Sequence, residues 1–156
     1  MRARGFTLIE MVVTVAIVGI LASIAVPVLQ LTVQRARESE LRLALRQIRE
    51  GIDTYKRLAD EGRIARPADG SGYPPRLSDL TTGLSDLRSP LPRKIYILRR
   101  IPRDPLYPDP RAPADETWGL RSYASPPDAP AEGADVFDVF SRAEGLGLNG
   151  IRYREW

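Results

Sequence analysis

The chain has no cysteine and no histidine, and lysine stands at only two positions, Lys56 and Lys94. Without cysteine, any part lying outside the cytoplasm must be held together without disulfides. Without histidine, the commonest general base and metal ligand is missing. Neither sign of charge dominates: 23 basic and 20 acidic residues are interspersed for a net +3, a balance that does not describe a nucleic-acid surface. The densest basic patch, Arg93 to Arg100, encloses the uncharged Ile95, Tyr96, Ile97 and Leu98. It reads as a strand with charged ends rather than as a phosphate-binding site.

What the chain does have is one long apolar run. From Met11 to Leu29 no residue is charged. About 20 such residues, at ~1.5 Å each, cover the ~30 Å hydrocarbon core of a bilayer. Glu10 stands at the edge of this run, where a lone carboxylate costs roughly 2.5–3.5 kcal/mol or more in lipid. Thr7 and Glu10 also have the spacing of a capping box, in which each side chain accepts from the other residue's backbone N–H. A carboxylate in the first turn suits the helix dipole as well, so capping and a role in assembly are compatible. An ordinary secretory signal fits poorly, because the leader is too short and no clean small-x-small site follows a short apolar core.

Arg4-Gly5-Phe6-Thr7-Leu8-Ile9-Glu10 and the apolar run behind it resemble the start of type IV pilins and pseudopilins. The resemblance covers roughly the first 35 residues. It implies cleavage by a prepilin peptidase between Gly5 and Phe6, methylation of the new Phe6 amine, and a part for Phe6 and Glu10 in assembly. It divides the chain into a leader (1–5), a transmembrane and assembly helix (6–33), and a head (34–156) that includes the amphipathic half of the helix. The implied location is the bacterial inner membrane, single-pass, with the head in the periplasm. Charge alone argues the other way, since Arg2 and Arg4 precede the run while Arg35, Arg37, Arg42, Arg46 and Arg49 follow it.

Beyond the run, Leu41, Leu45, Ile48, Ile52 and Tyr55 recur at spacings of four and three, the stripe of a packing face. The helix is expected from Phe6 to about Asp60, with Gly19 and Pro27 as interruptions. Residues 62–75 read as a turn-rich linker. Leu77, Leu80, Leu84 and Leu87 suggest a short amphipathic helix weakened by Gly83. Strands are expected at Ile95–Ile101, Trp118–Ser125 and Val136–Ser141, with a proline-rich loop between the first two. The fold class is α+β: a long N-terminal helix packed against a small antiparallel sheet. The tail is expected to pack Leu146, Leu148, Ile151, Tyr153 and Trp156 on that sheet.

The head is similar to the major, G-type pseudopilin of type II secretion. The residues that carry the likeness are Gly72-Tyr73-Pro74, Ile101-Pro102-x-Asp104-Pro105, Trp118-Gly119-x-x-x-Tyr123, and Phe137-Asp138-Val139-Phe140-Ser141 before a Gly-rich loop and a Trp. Two departures stand out. Residues 106–117 separate Asp104-Pro105 from Trp118-Gly119, which the family usually joins as Asp-Pro-Trp-Gly. The last loop is poor in the carboxylates that bind calcium in that family, leaving Asp138, Glu144 and Asn149 as weak candidates; no cofactor is expected, and calcium is not favoured. The implied partners are other pseudopilin or pilin subunits, the prepilin peptidase, membrane lipid and an inner-membrane assembly platform driven by a cytosolic ATPase; no nucleic acid is expected. The implied function is a structural, non-catalytic subunit of a type II secretion pseudopilus. The rivals are a minor pilin of a type IV pilus or competence system, and a membrane-anchored binding module that does not polymerise. The lack of cysteine favours the pseudopilin, because many pilin heads close a C-terminal loop with a disulfide.

Two other patterns have weaker readings. Gly145-x-Gly147-x-x-Gly150 fits a dinucleotide fingerprint formally, but lacks the strand and helix that the fingerprint requires. Asp104, Asp109, Asp115 and Glu116 read as solvated loop charges, with no base or nucleophile beside them.

Overall fold

The structure, a computed structural model, describes residues 6–66 and 70–156, except for the side chain of Ile24. Gly5, the expected residue before the cleavage point, therefore lies outside the described residues. Helix α1 runs Leu8–Asp60, 53 residues, as the apolar run and the following stripe require. The chain divides into two units, with the boundary between Ala36 and Arg37.

In the first unit, α1 is apolar on every side and open on every side: Leu8, Ile9, Val15, Val18, Leu21 and Leu29 are all exposed. It is long and apolar enough to cross a membrane. Gly19 and Pro27 do not interrupt the helix. Its hydroxyls are internally satisfied. Thr14 Oγ1 donates to the Met11 carbonyl at 2.9 Å, Ser23 Oγ to Ile20 at 2.7 Å and Thr32 Oγ1 to Val28 at 3.0 Å. Such bonding lets a hydroxyl lie in hydrocarbon without a lost partner.

The second unit is built on the stripe. Leu41, Leu45, Ile48, Ile52 and Tyr55 are all buried, joined by Ala44, Leu58 and Ala59. Against them pack Leu77, Leu80, Trp118, Val136, Val139, Ala143 and Tyr153. Burying each large apolar side chain contributes roughly 1.5–3 kcal/mol, so this face of α1 is the foundation of the head. Two antiparallel ladders lie on it. β1 (Leu84–Ser85) pairs with β2 (Lys94–Ile95), and β3 (Trp118–Arg121) with β4 (Asp138–Ser141) in the register Trp118↔Ser141 to Arg121↔Asp138.

Three local expectations are corrected. The helix expected over Leu77–Leu87 is a 3-10 turn at Leu77–Leu80 only. Gly83, at φ +80°, then turns the chain so that Leu84 enters β1 and Leu87 faces solvent. The strand expected at Ile95–Ile101 ends after Ile95. Leu98 N instead donates to the Leu80 carbonyl at 2.9 Å, and Ile97, Leu98 and Ile101 pack on the core without a ladder. In the tail, Tyr153 is buried, but Leu146, Leu148 and Ile151 are exposed. Polar bonds tie that loop to α1: Leu148 N and Tyr153 Oη both donate to Glu38 Oε1, at 2.9 and 3.0 Å.

Candidate assembly site

The first turn of α1 forms a reciprocal cap. Thr7 N and Thr7 Oγ1 both donate to Glu10 Oε2 at 3.2 Å, and Glu10 N donates to Thr7 Oγ1 at 3.3 Å. The spacing Thr7-x-x-Glu10 requires this arrangement once Leu8 begins the helix. Phe6, just outside, is 78% exposed. Glu10 Oε1 makes no hydrogen bond among the described residues, so only one oxygen of the carboxylate is occupied by the cap. A charged acceptor therefore lies at the start of a helix that is otherwise apolar over membrane length.

In the head, the two halves of the divided Asp-Pro/Trp-Gly motif are brought together. Asp104 N donates to Thr117 Oγ1 at 3.2 Å, and Trp118 Nε1 donates to the Pro102 carbonyl at 2.8 Å. Residues 106–117 thus leave and return to the same place. Asp104 is not a solvated loop charge; it is fully buried. Its Oδ1 accepts from Leu106 N at 2.8 Å and its Oδ2 from Ser141 Oγ at 2.5 Å. Asp109, Asp115 and Glu116 are exposed, as the sequence suggests. Nothing in the sequence separated Asp104 from the other three except its place in Ile101-Pro102-x-Asp104-Pro105.

The weak calcium candidates fall in three different settings. Asp138 Oδ1 accepts from Arg49 Nε and from its own neighbour's amide, Val139 N, both at 2.8 Å. Its Oδ2 lies 3.7 Å from Arg121 Nη2. Asn149 Oδ1 accepts from Ile151 N at 3.1 Å, and Glu144 is exposed. Among the described residues, no three acidic, cysteine or histidine side chains are grouped so as to hold a metal. Calcium binds through about 6–8 oxygens, and here Asp138 Oδ1 and Asn149 Oδ1 already accept hydrogen bonds. The Gly145–Gly150 segment is a loop closed by a bridge between Leu146 and Arg152, not the strand-to-helix turn that a dinucleotide needs.

Elsewhere, Asp135 gathers a polar knot that sequence reasoning missed. Its carboxylate accepts from Ser71 Oγ, from Ser122 Oγ at 2.7 Å and from Tyr123 N at 2.9 Å. Burial pushes this carboxyl up, but the bonds from Ser71, Tyr123 and Ser122 together hold it below its ordinary value. Tyr73 and Tyr123 stack beside it and Phe137 meets both rings edge-on, with ring centroids 4.9–5.7 Å apart.

Residues 1–26 match the prokaryotic N-terminal methylation motif. The type IV major fimbrial protein FimA of Dichelobacter nodosus is 42% identical over 38% of this chain and 38% of its own length. The chain thus spans under half the length of that relative, and the likeness to the fimbrial protein concerns that part alone. The type II secretion system core protein G of Klebsiella michiganensis is 30% identical over 65% of this chain and 67% of its own. That of Vibrio cholerae serotype O1 is 31% identical over 96% of this chain and 83% of its own length. No solved structure matches the chain. The likeness to the secretion proteins runs through the head as well as the helix, so the chain belongs to the family of the type II secretion system core protein G, a pseudopilin family that shares its N-terminal motif with type IV pilins.

Proposed function

We propose that this chain is a structural subunit of a type II secretion pseudopilus and catalyses nothing. Prepilin peptidase cuts between Gly5 and Phe6, and Phe6 is methylated. The helix of residues 6–33 anchors the subunit in the bacterial inner membrane, with residues 34–156 in the periplasm. An assembly platform driven by a cytosolic ATPase then stacks it with other pseudopilins. One observation carries this reading: a helix of membrane length, apolar and open on every side, with a single carboxylate in its first turn. Such a surface is stable in lipid or against copies of itself, and it leaves the carboxylate requiring a cation.

Cleavage would supply that cation as the free amine of Phe6. In a bundle of staggered helices, Glu10 of one subunit offsets the amine of its neighbour. Low dielectric strengthens the attraction, and the pairing sets the axial register. Glu10 can cap its own helix through Oε2 and present Oε1 to the neighbour at the same time. Glu10→Gln keeps a capping oxygen and removes the charge; Glu10→Leu removes both. In cells expressing wild type alongside, both variants should be cleaved and inserted normally, yet fail to cross-link into filaments. Normal filaments from Glu10→Gln would show that the residue is only a cap.

A further inference from the structure

One face of α1 holds the tail of the head. Arg49, two-fifths exposed at the edge of the helix, makes three bonds to two separate pieces of chain. Its Nε donates to Asp138 Oδ1 at 2.8 Å, and its Nη2 donates to the Val139 carbonyl at 3.2 Å and the Trp156 carbonyl at 2.8 Å. A guanidinium is planar and always charged, and its fixed donors serve several oxygens at once. Three turns earlier stands Glu38, 4% exposed, whose Oε1 accepts from Leu148 N at 2.9 Å and from Tyr153 Oη at 3.0 Å. Between them, the Arg42 guanidinium lies 4.4 Å from the centre of the Trp156 ring. Residues 38, 42 and 49 share a helix face through spacings of four and seven.

We propose that this stripe of side chains holds the loop of residues 142–156 in place of a divalent cation, so that the head folds and keeps its tail without calcium. Arg49 occupies the role a metal would have: a positive centre that collects a carboxylate and two main-chain carbonyls from strand β4 and the tail. The oxygens around it are already committed to its N–H groups. Arg142, Arg152 and Arg154 add further positive charge along the same loop and oppose the approach of a divalent ion. Packing alone does not secure the loop, since Leu146, Leu148 and Ile151 remain 59%, 43% and 46% exposed. The proposal rests on the head alone and stands or falls independently of filament assembly.

The test uses the full chain in detergent, with circular dichroism melting and trypsin digestion mapped by mass spectrometry. Melting in chelator and in millimolar calcium should agree within about 1 °C, because an ion without a site gives no linkage stabilisation. A bound ion at about 100-fold above its Kd would raise the midpoint by roughly 10 °C in a head of this size. Tail cuts after Arg152 and Arg154 should proceed at the same rate in both conditions. Arg49→Met should speed those cuts about tenfold while cuts within α1 stay slow, as local opening of a released segment requires. Arg49→Lys, with charge but no fork, should fall between. Should Arg49→Met unfold outright, Tyr153→Phe removes only the hydroxyl donor to Glu38 and should loosen the same cuts. A calcium-dependent rise of several degrees, or tail cutting unchanged in both Arg49→Met and Tyr153→Phe, would overturn the proposal.

Discussion

Ser141 Oγ donates to Asp104 Oδ2 at 2.5 Å, with both residues fully buried. The pair joins the last residue of β4 to the start of the proline-rich loop, 37 positions earlier. Ser141 Oγ in turn accepts from Ala143 N at 3.1 Å, so the same bond sets the first turn of the tail. A carboxylate with no solvent access must have its lone pairs filled, and Ser141 Oγ and Leu106 N fill them, while Thr117 Oγ1 accepts from the Asp104 backbone N–H. Asp104→Ala leaves the Leu106 amide and the Ser141 hydroxyl without their acceptor. The expected loss is about 2–4 kcal/mol, since each orphaned buried group costs about 1–3 kcal/mol. Urea unfolding of the full chain in detergent measures it, and a loss below about 0.5 kcal/mol, the range of ordinary surface changes, would show that the bond is incidental.

Gly119 faces Phe140 across the β3–β4 ladder. A Cβ built at Gly119 would lie 2.2 Å from Phe140 Cε2, so the aromatic ring rests directly on the glycine backbone. Gly119→Ala should destabilise the head by about 1–3 kcal/mol, the usual range for overpacking. Phe140→Leu in the same chain should recover part of that loss. Additive losses in the double mutant would mean that the two positions do not share the space.

Acid should weaken the head through Asp135. Its folded carboxyl titrates below its ordinary value, so its contribution is fully present above the unfolded pKa of about 3.9. That contribution is lost as pH falls through the lower, folded value, where the unfolded chain has already taken up the proton. Asp135→Asn should therefore be less stable than wild type at neutral pH, and the gap should narrow below about pH 4. A gap that is constant from neutral to acid pH would mean that the charge on Asp135 is immaterial to its bonds with Ser71, Ser122 and Tyr123.

Much of this molecule is legible in the sequence, for identifiable reasons. Periodicity along α1 identified Leu41, Leu45, Ile48, Ile52 and Tyr55, because a long helix repeats its pattern often enough to be unambiguous. Thr7 and Glu10 were legible because a capping box is local. The short elements were not. Leu77–Leu87 has helical spacing, but one glycine at positive φ redirects it, and spacing does not encode that turn. Ile95–Ile101 has the composition of a strand, yet no neighbouring strand pairs beyond Ile95. Asp104 looks like its exposed neighbours in sequence, since burial of its carboxylate depends on Ser141, 37 positions away. Arg49 lies off the apolar stripe of Leu41, Leu45, Ile48, Ile52 and Tyr55; its partners Asp138 and Trp156 are more than 85 positions away, and only the folded head reveals them.

Processing and polymerisation as a pseudopilin both begin at the mature N-terminus, and its mass is the decisive measurement. The full chain, purified from membranes of cells with active prepilin peptidase, would be digested and its N-terminal peptide sequenced by mass spectrometry. The chain should begin at Phe6 with one methyl group on its amine, and retain Met1–Gly5 when the peptidase is deleted. Gly5 should tolerate no larger residue, because a side chain there crowds a bond that must enter a peptidase cleft. An intact Met1–Gly5 leader in peptidase-competent cells, or a start at any other residue, would contradict processing as a pseudopilin.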